Sequence, residues 1–312
     1  MARIAIIGLV GRSMFFEVPR FHSGGETVTA KSLYEEWGGK GFNQAVAAAR
    51  QDAAVSFLGA VNAADAKALK DFCAKEGVRA TLAAKKKPTA TAAILTDGTG
   101  ETRVTVYPGA ELEQKDVDGF AGSIATADFL LLNNEVPEAV NLAAVEIAKQ
   151  YDVKVIFNPA PSRKLSQAIL EAVSIFTPNE FEEESLELGA ESLELRAESL
   201  ELRAKSLELR AESLVRDGDE KLQAPSSKLQ AEVITTLGAK GCRVRSTGEV
   251  IPAPAAKAVD STGAGDTFNA VLAVRLAEGE TLRDACVAAN AAAAQSVAVR
   301  YVIPSLPFRT NP

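Results

Sequence analysis

The chain has 312 residues, with 41 acidic against 34 basic side chains for a formal charge of -7. About 47% is apolar and 24% charged, ordinary for a globular chain able to bury one large α/β core or two smaller ones. The acidic balance argues against a general nucleic-acid surface, no apolar stretch approaches a membrane span, and three scattered cysteines offer no metal-ligand spacing. Their odd number suggests reduced thiols, hence a cytoplasmic protein.

Taken in chain order, residues 4–9 form a first apolar strand, too short for the core of a secretory signal. Residues 12–37 read as extended strands with Gly-rich turns. Gly38-Gly39-Lys40-Gly41-Phe42-Asn43-Gln44-Ala45 then brings a glycine turn into a helix over 44–51. Lys40 and Asn43 could offer donors to a polar ligand there, or simply begin a helix with a surface lysine. A strand over 55–60 and a helix over 66–76 follow. Residues 88–107 again read as extended, with 91–96 and 102–107 flanking Asp97-Gly98-Thr99-Gly100-Glu101 as a hairpin. The two extended regions could form a small sheet projecting from an α/β body, or ordinary edge hairpins.

Strands over 128–133, 153–158, 174–177 and 233–237 and a helix over 138–150 continue the rhythm of a parallel sheet with crossover helices. Thr177-Pro178-Asn179-Glu180-Phe181-Glu182 closes one strand, where α/β folds place ligands. Its carboxylates and amide suit hydrated Mg2+, or an acidic first helical turn. Between this motif and the next strand lies a repeat: Ser-Leu-Glu-Leu begins at Ser185, Ser192, Ser199 and Ser206, always seven residues apart. That period predicts a helical insertion over about 185–231.

The strongest local signal is Asp260-Ser261-Thr262-Gly263-Ala264-Gly265-Asp266, leading into an apolar helix over 267–276. A Gly-rich turn entering a helix presents unpaired N–H groups and the positive end of the helix dipole to an anion. Asp266 at the helix start could take a proton from a hydroxyl, or serve only as a cap. The loop lacks the Gly-Lys-Ser/Thr ending of a Walker motif, and no dinucleotide fingerprint follows the first strand.

In order, these motifs resemble the ribokinase-like, or PfkB, family of carbohydrate kinases. Residues 38–45 and 259–268 look like its two signatures, Thr236-Leu237-Gly238-Ala239-Lys240-Gly241 like its nucleotide strand and turn, and Asn179 with Glu182 like its Asn-x-x-Glu motif. The resemblance implies a three-layer α/β/α domain over 1–312, with a mostly parallel central sheet and a β-sheet lid from about 12–37 and 88–107. It implies ATP-dependent phosphorylation of a hydroxyl on a sugar or sugar-like molecule. Asp266 would be the general base, with Gly263, Ala264 and Gly265 as the anion hole. Gly39, Lys40, Asn43 and Glu135 would hold the acceptor. Asn179, Thr236, Gly238, Gly241 and Asn290 would meet the nucleotide, Glu182 would act through Mg2+, and Asp260, Thr262 and Ser305 match part of a site for a monovalent cation such as K+. Members of the family often dimerise through their lids, so a homodimer is an open expectation.

Two departures stand out. Where ribokinases commonly place an Asn and an Asp after the first strand, this chain has Gly11 and Ser13. A neutral Ser lacks a carboxylate's charge-assisted hydrogen bonds. Arg12 between them could meet an anionic substrate or stand solvated in the lid. Val61-Asn62-Ala63 replaces the usual Gly-Asp pair. These changes and the repeat keep two alternatives in view: a catalytically impaired regulatory or ligand-binding relative, and an assembly role through the repeat helix.

Overall fold

The computed structural model describes residues 1–99, 101–184, 186 and 231–309; the heptad repeat lies outside the described residues. The first elements are β1 (Arg3–Ile7), β2 (Gly11–Glu17), β3 (Ser32–Gly38), α1 (Lys40–Arg50), β4 (Ala54–Asn62), α2 (Ala66–Lys75), β5 (Val78–Lys85), β6 (Ala90–Thr96) and β7 (Thr102–Tyr107). Then come α3 (Gln114–Asp118), α4 (Ala121–Ala125), β8 (Phe129–Asn133), α5 (Glu138–Gln150), β9 (Lys154–Asn158), α6 (Gln167–Ala172) and β10 (Ile175–Phe176). The last are β11 (Glu232–Thr236), β12 (Cys242–Val244), β13 (Val250–Ile251), α7 (Ala264–Ala277), α8 (Leu282–Ser296) and α9 (Val302–Ser305).

The apolar runs are continuous because their strands are covered on both faces. Ile4 and Ile6 of β1 enter one core with Phe42 and Phe268, while Ala5 and Ile7 enter a second with Phe120 and Val140. The sheet between these cores runs β13-β12-β11-β10-β9-β8-β1-β4-β5. From β11 to β5 it is parallel, and β12 and β13 add an antiparallel edge. One layer carries α1, α2, α7 and α8; the other carries α3 to α6. This is the expected three-layer architecture.

A second, four-stranded sheet has the order β3-β2-β6-β7. β2 pairs antiparallel with β3 and parallel with β6, and β6 and β7 form the expected hairpin. The extended reading of residues 12–37 was too generous: residues 18–31 contain no strand. Helix α1 starts at Lys40, earlier than the sequence pattern indicated, because the glycine turn is itself the helix entry.

Candidate active site

The C-terminal ends of the parallel strands converge with the starts of α1 and α7. A Cβ built on Gly8, just beyond β1, would stand 2.6 Å from the Gly41 Cα, so the first strand abuts the first turn of α1. This close approach brings Asn43 and Gln44 against the start of α7. Asn43 Nδ2 donates to Asp266 Oδ2 at 2.8 Å, and Gln44 Nε2 donates to Asp266 Oδ1 at 3.2 Å. Asp266 is 6% exposed. Burial raises its pKa above the usual carboxylate value, while the Lys40 charge and the two amide donors act in the opposite direction.

Gly263 caps α7 in the left-handed region at φ 81, which an L side chain enters only with strain. The turn aims the first N–H groups of α7 outward, where helix geometry leaves them without intrahelical acceptors. Ala264 N–H makes one turn bond, to Ser261 O at 3.3 Å.

Lys40 and Glu135 stand beside Asp266. The Lys40 backbone N–H donates to Glu135 Oε2 at 2.7 Å. Burial works against the Lys40 ammonium, but Asp266, Glu135 and Glu182 outweigh it and raise its pKa. Burial pushes Glu135 up to about 7, with Asp266 adding to the rise and Lys40 opposing it. The result is one cation among carboxylates, two of them more basic than usual, in a partly closed site.

On the other side of the Gly263 turn lies a cavity of about 270 Å³. Its lining includes Thr236, Gly238, Gly241 and Asn290, four of the expected nucleotide residues, together with Ala264 and Gly265. Asn290 is also structural, donating to Ile251 O at 2.9 Å. Asn179 joins the strand ends through a bridge to Thr236. It and Glu182 bond reciprocally: Asn179 N–H donates to Glu182 Oε2 at 2.9 Å, and Glu182 N–H donates to Asn179 Oδ1 at 2.8 Å. The motif thus builds a capping box that turns the chain after β10.

Asp260 accepts from Thr262 N–H at 3.0 Å and Tyr301 N–H at 3.1 Å; the buried Ser305 hydroxyl donates to Val302 O at 2.8 Å. Arg12 lies on the face of β2 opposite Gly11 and Ser13. It pairs with Asp65 at 2.6 Å and lies 4.7 Å over the Trp37 ring with its side chain 43% exposed, so Arg12 is a solvated arginine of the small sheet whose charge is already matched.

Two residues escaped the sequence reading. Gln44 had only its place beside Asn43 as a signal, and its bond to Asp266 spans 222 positions. Glu36 had no sequence signal at all.

The family model for pfkB carbohydrate kinases matches residues 1–309. The chain belongs to the pfkB family of carbohydrate kinases. It is 33% identical to a ribokinase of Haemophilus influenzae, over 98% of this chain and 95% of that one. The fold is similar to the ribokinase of Thermotoga maritima, with TM-score 0.78, 30% identity and 99% and 97% of the two chains covered. It is also similar to an Arabidopsis thaliana ribokinase solved with ribose and ATP, with TM-score 0.76, 25% identity and 98% and 96% coverage. This pfkB-family protein is an ATP-dependent carbohydrate kinase, and the reading as a catalytically impaired relative is not favoured.

Proposed function

We propose that the acceptor hydroxyl of a sugar or sugar-like molecule sits against Asp266, held by Lys40, Asn43, Glu135 and the Gly39 backbone. The observation that carries this reading is the buried Asp266 carboxylate, fixed through both oxygens by Asn43 and Gln44. Burial raises its basicity, which suits proton removal, while Lys40 and the two amide donors favour its charged form. The Gly263, Ala264 and Gly265 turn would receive the transferring phosphoryl group, with N–H groups and the α7 dipole aimed at its developing charge. Nucleotide in the adjoining cavity would reach this turn across Ala264 and Gly265. Positioning and charge stabilisation suffice for phosphoryl transfer.

Among the described residues, no group of three or more His, Cys, Asp or Glu side chains converges on a metal position. That fits Mg2+ held mainly by nucleotide phosphates and water, with Glu182 as an indirect ligand. When bound, Mg2+ supplies neutralisation of phosphate charge. Asp260 is partly exposed beside exposed Ser261 and Thr262, an oxygen-rich turn suited to a hard cation such as K+, with Ser305 nearby in sequence to Tyr301.

The four-stranded sheet would act as the lid and as a homodimer surface. Ribokinase relatives support a pentose-like acceptor, whereas Gly11 and Ser13 weigh against efficient use of ribose itself. A cytoplasmic location fits the three free, buried cysteines and the lack of any helix among the described residues long and apolar enough to cross a membrane. An ADP-release screen over pentoses, hexoses, sugar acids and nucleosides, with Mg2+ and K+, tests the assignment. Acceptor-dependent release by the unaltered chain, absent from Asp266→Asn, is the expected result. Release that ignores every acceptor and survives that substitution would overturn it.

A further inference from the structure

Glu36 lies on β3, on the face of the small sheet that it shares with Ser13, Phe15 and Tyr34. Its carboxylate is turned to the body. Oε1 accepts from Val302 N–H at 2.9 Å and Oε2 from Ile303 N–H at 3.0 Å, the first two amides of α9. Burial, with Asp260 nearby, pushes this carboxyl up to about 7, against the pull of the two amides.

The residue just before these amides is strained. Tyr301 stands at φ 69 and ψ 161, a region that glycine enters freely and an aromatic residue does not. Several contacts hold it there. Its N–H is bound by Asp260, its ring stacks on Tyr34 with centroids 3.9 Å apart at 18°, and Phe15 meets it edge-on at 5.2 Å. Both aromatic partners belong to the small sheet.

The same short segment supports the Gly263 turn. A Cβ on Gly263 would stand 2.6 Å from Val302 Cγ1, so the Val302 side chain fills the space against that turn. Asp260 holds Tyr301 with one oxygen and Thr262, the residue before Gly263, with the other. A continuous path therefore runs from Tyr34 and Glu36, through Tyr301 and Val302, to Thr262 and Gly263. It contains none of the residues assigned to acceptor binding or proton transfer.

We propose that Glu36 is a positioning residue that fastens the small sheet to the phosphoryl-binding turn, so that recognition of the terminal phosphate depends on where that sheet sits. The inference rests on the reading of Gly263 to Gly265 as the anion hole. Adenine and the first two phosphates would be held by the cavity on the body and would not sense the link. The third phosphate would.

Isothermal titration of the full chain with Mg2+-ADP and with Mg2+-AMP-PNP, a non-hydrolysable triphosphate, separates the two. Glu36→Ala is expected to weaken AMP-PNP binding about tenfold and to leave ADP within about twofold, the loss matching removal of a charged acceptor from two amides. Glu36→Gln keeps one acceptor oxygen and is expected to recover part of the loss; it also serves should the alanine variant fail to fold. Tyr301→Gly, which removes the ring while relieving the backbone, is expected to repeat the selective loss. Equal weakening of both nucleotides, or a lower melting temperature with unchanged affinities, would mean that Glu36 only stabilises the fold and would overturn the proposal. If the unaltered chain itself binds ADP and AMP-PNP equally well, the anion-hole reading falls, and the link falls with it.

Discussion

Strands β11, β10, β9, β8, β1 and β4 of the nine-stranded sheet are packed on both faces, whereas every residue of β7 in the four-stranded sheet is exposed. The candidate general base and phosphoryl-binding turn belong to the thick body, fixed by the Gly263 backbone and by amides from α1. Beyond Glu36, Tyr34 and Phe15, the thin sheet presents small or apolar groups on the face that bears Ser13: Gly11, Ala92, Ile94 and the exposed Val104 and Val106. The departures from the family pattern at Gly11 and Ser13 fall on this second sheet. On the proposed reading, the body carries the transfer chemistry and most of the acceptor contacts, while Gly11 and Ser13 would tune the acceptor from a differently packed sheet, so that tuning can change while the chemistry is kept.

The largest effect tests the body. Asp266→Asn is expected to lower kcat by roughly 10²–10⁴-fold, the range for loss of a general base, with nucleotide affinity little changed. Steady-state kinetics paired with ADP titration checks both halves. Near-normal turnover would remove Asp266 from the proton transfer and erase the contrast.

Gly263→Ala is expected to lower kcat by about 10²-fold, comparable to losing a preorganised donor. The added methyl meets both a positive φ and the Val302 side chain. A folded variant with unchanged kcat would show that the turn geometry is not needed.

The thin sheet predicts a gain in place of a loss. Ser13→Asp restores a charged acceptor on the face that bears Glu36 and is expected to raise kcat/KM for ribose about tenfold, without altering ATP use. Ribose kinetics on the two proteins decides this. Efficient ribose turnover by the unaltered chain would mean that other groups already make the contact.

The smallest effect concerns Glu135, whose carboxyl lies near 7 when folded and near the usual carboxylate value of 4.5 when unfolded. The folded state holds this proton more tightly, so the associated stability is complete below about 4.5 and is lost as pH rises through 7. Glu135→Gln removes that dependence. Its melting temperature should therefore gain on the unaltered protein between pH 5 and pH 8, while acceptor KM rises at pH 8, where the lost anion mattered. A pH-independent difference in melting temperature would show that Glu135 does not titrate in this window.

Much of this site was legible because its signals are local. A glycine turn before an apolar helix marks Gly263 to Asp266, and Gly38-Gly39 marks the entry to α1, since backbone conformation there depends on neighbours in the chain. Continuous apolar runs revealed β1, β4, β8 and β9, because a strand covered on both faces has no polar side to display. The family resemblance then joined motifs that spacing alone left separate.

Tertiary structure decided which distant groups meet and which face each strand shows. Gln44 reaches Asp266 across 222 positions, and Glu36 reaches Val302 across 266. Arg12 and Ser13 are adjacent in sequence, yet the strand's period of two turns one toward Asp65 and sets the other on the face with Glu36. The pairing of Arg12 with Asp65 likewise follows from packing, whereas the capping box of Asn179 and Glu182 is a local contact three residues long. Local sequence fixes the conformations a segment prefers, but contact energies between segments depend on strand order and register, which are settled only when the whole chain closes around its two cores.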